Sequence, residues 1–179
     1  MSMLYGGIRQ VGYVVRDIEK AMRMWSDTLG VGPWFYTEEV GTTEFRYYGS
    51  PSRLPRLSIA LANSGDLQLE LIQQRDDAPS LYLDTLAMNG ETAQHVAYWT
   101  LDRFDELAAR LLDNGYIEGH AGRMGHKRGR FAYFVHSGLP GAMIELSEMT
   151  GGKTEYFQKV RQAAAGWDGA DPIRLAPPR

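Results

Sequence analysis

Four polar residues, Gln10, Glu70, His95 and Glu145, occupy matching places in two copies of one pattern. Sliding the sequence by 85 positions lays His95 on Gln10, Val96 on Val11, Tyr98 on Tyr13, Asp102 on Asp17 and Gly115 on Gly30, without a gap. An offset of 75 lays Ile144-Glu145-Leu146 on Leu69-Glu70-Leu71. Side chains alternate along a strand, so Leu69 and Leu71 point one way, and Gln68 and Glu70 the other. The apolar faces should lie against helices. The opposite faces then carry an amide, an imidazole and two carboxylates. Such a cluster inside a sheet is costly if left unpaired. A divalent cation would neutralise it, and mixed nitrogen and oxygen ligation without thiolate suits Zn, Ni, Co, Mn or Fe without choosing among them. Gln68 shares its face with Glu70, and only the repeat match favours Glu70 as the ligand.

Regular elements must position these groups. Ile8 to Val15 alternate as a strand. Asp17 caps a helix with Ile18, Ala21, Met22, Trp25 and Leu29 at helical spacing, and Gly30 ends it. Trp34 to Val40 and Glu44 to Tyr48 read as a strand pair turned at Gly41. Residues 49–55 read as a loop, followed by strands at Leu57 to Ala62 and Leu67 to Ile72. Ala78 to Asn89 is a linker with a short helix. The second copy begins at Thr92. Its helix is capped at Asp102 and stopped at Gly115, and strands follow at Tyr116 to Gly119, Arg130 to His136 and Ala142 to Ser147. A turn occupies 137–141. Thr154 to Ala165 forms an added amphipathic helix with Tyr156, Phe157, Val160, Ala164 and Trp167 on one stripe. It covers either the chain's own core or a partner subunit. The expected architecture is α+β: two tandem βαβββ modules (7–77 and 92–149) joined by a linker (78–91), forming a cupped mixed sheet, with a C-terminal helix and tail at 150–179.

Composition narrows the function. The chain has 179 residues, 44% of them hydrophobic, a formal net charge of -3 and no cysteine. That gives no basic face for nucleic acid, no disulfide framework and no thiolate chemistry. No apolar run approaches a membrane span, and no basic, then apolar leader opens the chain, so a cytoplasmic location is expected. There is no P-loop and no dinucleotide fingerprint. Two further groups could shape specificity. Trp34, Phe35, Tyr36, Tyr47 and Tyr48 line a pocket or pack the core and a dimer contact. Arg123, His126, Lys127, Arg128 and Arg130 form a basic loop that holds a substrate anion or is a solvated face.

The segments Gln10 to Asp17, Gln68 to Ile72, His95 to Asp102 and Met143 to Leu146 resemble the vicinal oxygen chelate superfamily, which includes glyoxalase I and methylmalonyl-CoA epimerase. The resemblance covers roughly residues 7–149. It implies paired modules cupped around a divalent metal held by Gln10, Glu70, His95 and Glu145. It also implies a small-molecule substrate, a homodimer, and isomerase, epimerase or lyase chemistry by proton transfer beside a metal-chelated carbonyl. Glu145 is the first candidate base by this carry-over, and Glu70 the mirror candidate. Epimerase-like members commonly have His in the place of Gln10, whereas a Gln, Glu, His, Glu set is similar to glyoxalase I. A dioxygenase of the superfamily wants two His and one Glu. A resistance-type binder keeps the fold without metal ligands.

Overall fold

The structure is a computed structural model, and it describes residues 1–124, 129–138 and 143–176. The first copy runs β1 (Gln10–Val14), α1 (Ile18–Leu29), β2 (Trp34–Val40), β3 (Thr42–Tyr47), β4 (Ser50–Pro51), β5 (Leu57–Ser64) and β6 (Leu67–Gln74). After α2 (Leu81–Asn89) the second copy runs β7 (Thr92–Thr100), α3 (Phe104–Asp113), β8 (Ile117–Met124), β9 (Arg130–Val135) and β10 (Met143–Glu148). Then come α4 (Lys153–Ala164) and β11 (Ile173–Leu175). The strands form one mixed sheet in the order β11-β2-β5-β6-β1-β7-β10-β9-β8-β3-β4. The two copies meet at its centre, where β1 and β7 pair antiparallel.

One face of each half is sealed by a helix. Ile18, Ala21 and Met22 of α1 pack on Trp34, Tyr36, Ala60, Leu69 and Leu71. Phe104, Leu107 and Leu111 of α3 pack on Ala121, Ala132, Phe134 and Leu146. Each such large apolar side chain contributes about 1.5–3 kcal/mol by leaving water. Asp17 caps α1 through a bond from the Lys20 amide, 2.9 Å. Gly30 closes it with φ of 63°, a left-handed turn natural to glycine.

Two expectations need correction. The strands β2 and β3 do not pair with each other. β2 lies between β5 and β11, whereas β3 pairs antiparallel with β8 of the second copy, Thr42 opposite Met124. Seven strands separate β2 from β3 in the sheet, yet Gly41 alone joins them in the chain. One residue advances the backbone by only about 3.8 Å, so the sheet must curl until its ends approach. The extended chain covers an edge of β8 that would otherwise present unpaired backbone groups. The second correction concerns Asp102, which does not cap α3. Arg103 occupies the cap position without a side-chain cap bond, and its amide is held by Thr100 Oγ1 at 3.0 Å.

The inner face of the curl is filled by Val14, Phe35, Phe45, Leu57, Ile59, Phe131 and Tyr133. Leu81 and Tyr82 of α2, with Phe157 and Val160 of α4, pack into the same cluster. The added C-terminal helix therefore covers the chain's own cup. Its tail returns as β11 along β2. Among the described residues, no helix is long and apolar enough to cross a membrane.

Candidate metal centre

The strand registers lay the inward side chains in two adjacent rows. One reads Gln68, Gln10, Ala97, Glu145, Tyr133, and the other reads Glu70, Gly12, His95, Met143. Gly12 stands between Glu70 and His95, so nothing separates their side chains. A Cβ at Gly12 would fall 1.9 Å from His95 Cε1. The imidazole thus lies directly on the β1 backbone, in space that only glycine leaves open.

A bulge aims the ring. Gly12 pairs with His95, but Tyr13 pairs with Ala93, leaving Gln94 as the extra residue of β7. The Gln94 amide nitrogen donates to Leu81 O and Thr85 Oγ1 of α2, both at 2.9 Å. Its carbonyl is thereby fixed toward His95 Nδ1, 3.4 Å away. With the proton on Nδ1, the Nε2 lone pair points into the cup.

His95 Nε2 lies 3.1 Å from Glu145 Oε2 and 3.3 Å from Glu70 Oε2. The two carboxylates flank it as ion-pair partners, but it is a buried nitrogen aligned for a hydrogen bond to neither. Ligand atoms of Glu70, His95 and Glu145 all lie within 4.8 Å of one another. Atoms held about 2.1 Å from a common ion stand about 3.0–3.4 Å apart, from an octahedral to a tetrahedral edge. The donor set, its spacing and the orphaned nitrogen fit a divalent cation. Gln10 is buried beside them and donates through Nε2 to Gln68 Oε1, 2.8 Å. That bond leaves the Gln10 carbonyl oxygen for an ion and ties Gln68 up as its support.

Sequence reasoning missed Gln94, Ser147 and Lys153. Ser147 stands two residues from Glu145 on β10, so strand alternation alone places it on the same face. It bonds Glu145 and accepts from Lys153 Nζ. Lys153, the first residue of α4, is buried, and no repeat partner points to it. Gln10, Glu70, Glu145, Ser147 and Lys153 line a cavity of about 50 Å³, with Phe35, Leu61, Phe131 and Phe157 among its apolar walls.

With protons as the only counter-charges, the two acids diverge. Burial raises Glu70, with Glu145 adding to the rise and His95 opposing it. Burial also works to raise Glu145, but His95, Lys153 and Ser147 together hold it below its ordinary value. Burial alone would lower His95, yet the flanking Glu145 and Glu70 raise it to about 9.

The other sequence candidates divide. Phe35 reaches the cavity, whereas Trp34 and Tyr36 pack under α1. Tyr47 donates to Asp84, 2.7 Å, and Tyr48 is exposed. Arg130 is engaged by Asp105 at 2.7 Å and Glu148 at 2.9 Å, and Arg123 faces Glu44 and Glu148. These two serve as surface struts. His126, Lys127 and Arg128 lie outside the described residues.

Comparison with known proteins agrees with this architecture. The structure is similar to methylmalonyl-CoA epimerase from Mycobacterium tuberculosis, at 20% identity over 87% of this chain and 96% of that one, with a TM-score of 0.58. A hypothetical protein from Bacillus halodurans C-125 gives 15% identity over 81% and 95%, with a TM-score of 0.53. A Streptomyces coelicolor methylmalonyl-CoA epimerase variant in complex with 2-nitronate-propionyl-CoA gives 22% over 80% and 97%, with a TM-score of 0.50. At these identities the likeness is one of fold. No curated protein sequence matches the chain. The family model of the Glyoxalase/Bleomycin resistance protein/Dioxygenase superfamily matches residues 9–134, which include Gln10, Glu70 and His95 and stop short of Glu145. The chain belongs to that superfamily, the vicinal oxygen chelate proteins.

Proposed function

We propose that the protein is a metal-dependent isomerase or epimerase that moves a proton beside a metal-chelated carbonyl of a small substrate. The observation that carries this reading is the meeting of Glu70, His95 and Glu145 ligand atoms within 4.8 Å of one another, around an imidazole nitrogen that makes no aligned hydrogen bond. Gln10, Glu70, His95 and Glu145 would hold a divalent ion. When bound, such an ion polarises the carbonyl and stabilises negative charge on its oxygen, roughly several kcal/mol in the transition state.

The chain's own groups then divide the work. Glu145 is the proton acceptor, held on one side of the cup by Ser147 and Lys153. Glu70 faces it from the first copy, its carboxylate within 4.8 Å, and delivers that proton to the other side once it has passed over from Glu145. His95 is a fixed ligand, because Gln94 locks its tautomer. Phe35, Phe131 and Phe157 exclude water from the exchanging proton. The fold likeness to methylmalonyl-CoA epimerases supports an acyl thioester as one substrate class. The cavity then has room for a short acyl group only, with the carrier outside.

The test is metal analysis of the purified protein, followed by deuterium exchange at the substrate α-carbon. A stoichiometric divalent ion and a drop in exchange of about 10²–10⁴-fold in Glu145→Gln are expected. Undiminished exchange in that variant would remove Glu145 as the base. A protein that retains no ion under any loading condition would instead be a binder.

A further inference from the structure

Lys153 has no place in the repeat, yet it stands in the wall of the metal cavity. It opens α4, outside the residues that the family matches. It is 6% exposed, and it is the only buried lysine or arginine among the described residues. Its ammonium donates to Ser147 Oγ, and its charge acts on both Glu70 and Glu145. Its Nζ stands over the Phe157 ring, 5.7 Å from the ring centre.

A buried ammonium must be balanced by negative charge. Glu70 and Glu145 contribute to that balance here. A divalent ion on Gln10, Glu70, His95 and Glu145 claims the same two charges for itself. Two carboxylates, the ammonium and the ion then sum to one surplus positive charge between apolar walls. A ligand that brings one negative charge restores neutrality, and an uncharged ligand does not. Ser147 keeps the ammonium beside the centre, where it can share an anionic oxygen of a chelating substrate.

We infer that Lys153 is a substrate-positioning residue. It fixes the anionic group of a small, singly charged, oxygen-chelating substrate, so the site selects a carbonyl compound bearing a carboxylate over an uncharged dicarbonyl. This rests on the metal-centre reading above. The cavity of about 50 Å³ confines the chelating part to a few heavy atoms, and its Phe35, Leu61 and Phe131 walls favour an apolar remainder.

Pyruvate and diacetyl test it, being similar in size and differing in charge. Full-length protein is loaded with cobalt(II), whose absorbance reports occupancy, and each probe is titrated by calorimetry. The wild type should bind pyruvate more tightly. Lys153→Met should weaken pyruvate at least tenfold and diacetyl less than twofold, with cobalt still bound, and Lys153→Arg should recover most of the loss. If Lys153→Met does not fold, Lys153→Gln keeps a polar group for Ser147 without the charge, and the same ratio applies. A pyruvate-to-diacetyl ratio unchanged in the cobalt-loaded variant overturns the role of Lys153 and leaves the metal reading standing. A wild type that takes up no cobalt overturns both.

Discussion

The two copies of the module set their first strands side by side, and each offers a small residue to the other's proposed ligand. Gln10 pairs with Ala97, and His95 pairs with Gly12. Gly12 and Ala97 are themselves repeat equivalents, 85 positions apart, but they are not interchangeable. The imidazole lies against Gly12, where a Cβ would collide with it at 1.9 Å. The Gln10 amide leans to Gln68, so Ala97 keeps its methyl without a clash. The second copy braces His95 through the bulged Gln94 of its own strand, whereas the first holds Gln10 through Gln68 of the neighbouring strand. Duplication thus supplies two equivalent positions, and unequal surroundings make the proposed donor of one a rigid imidazole and that of the other a weaker amide.

The largest expected effect follows from that inequality. Gly12→Ala should drive His95 off its position and lower cobalt affinity by about a hundredfold, since a misplaced imidazole leaves two acids and the weaker Gln10 amide to hold the ion. Ala97→Gly should cost roughly 0.5–1 kcal/mol of stability and change cobalt affinity by less than a few-fold. Cobalt titration and thermal melting of both variants decide the matter. Equal losses of affinity would mean that the two small residues do the same job.

A second contrast sets His95 against His120, two fully buried imidazoles on the inward face. His95 meets acids and is raised to about 9. His120 meets the rings of Phe45, Tyr82, Phe131 and Tyr133, and both its nitrogens lack a hydrogen-bond partner. Burial, helped by the charge on His95, lowers it to about 3. An unfolded histidine binds a proton below about pH 6.5 that folded His120 refuses. Stability is therefore intact above that pH and lost as the pH falls toward about 3. His120→Phe should remove this loss and the two orphaned nitrogens, a gain of about 1–3 kcal/mol at neutral pH. The gap should widen by about 2 kcal/mol between roughly pH 7.5 and pH 5. Urea unfolding of both proteins at the two pH values measures it. A constant gap would show that His120 carries a proton in the fold.

Legibility in the sequence followed how local the determining physics is. Alternation in Leu67 to Ile72 and in Met143 to Ser147 gave the facing of Glu70 and Glu145, because strand geometry fixes it residue by residue. The helical spacing from Ile18 to Leu29 gave α1, and its buried face is the one expected. The pairing of β3 with β8 was not legible. Partner choice for an extended segment depends on which edge is open once the whole sheet has curled. Nor was Gln94, since a bulge belongs to a pair of strands rather than to one. Lys153 was hidden for a third reason: its depth depends on where α4 docks, and a lysine at a helix start ordinarily reads as surface.

The smallest effect concerns the two helix starts, which the repeat makes identical and the structure does not. Asp17 accepts the Lys20 amide at 2.9 Å, whereas Asp102 makes no cap bond and α3 begins under Thr100. Asp17→Ala should cost about 1 kcal/mol, and Asp102→Ala less than about 0.5 kcal/mol, as for an ordinary surface site. Thr100→Ala should fall between them, because its hydroxyl holds the Arg103 amide ahead of the first turn. Denaturant midpoints of the three variants give the ranking. If Asp102→Ala proved as costly as Asp17→Ala, the aspartate would have to swing onto the α3 amides in solution. The two modules would then be more alike at their helices than at their ligands, and the asymmetry that separates His95 from Gln10 would be confined to the strand pair at the centre of the sheet.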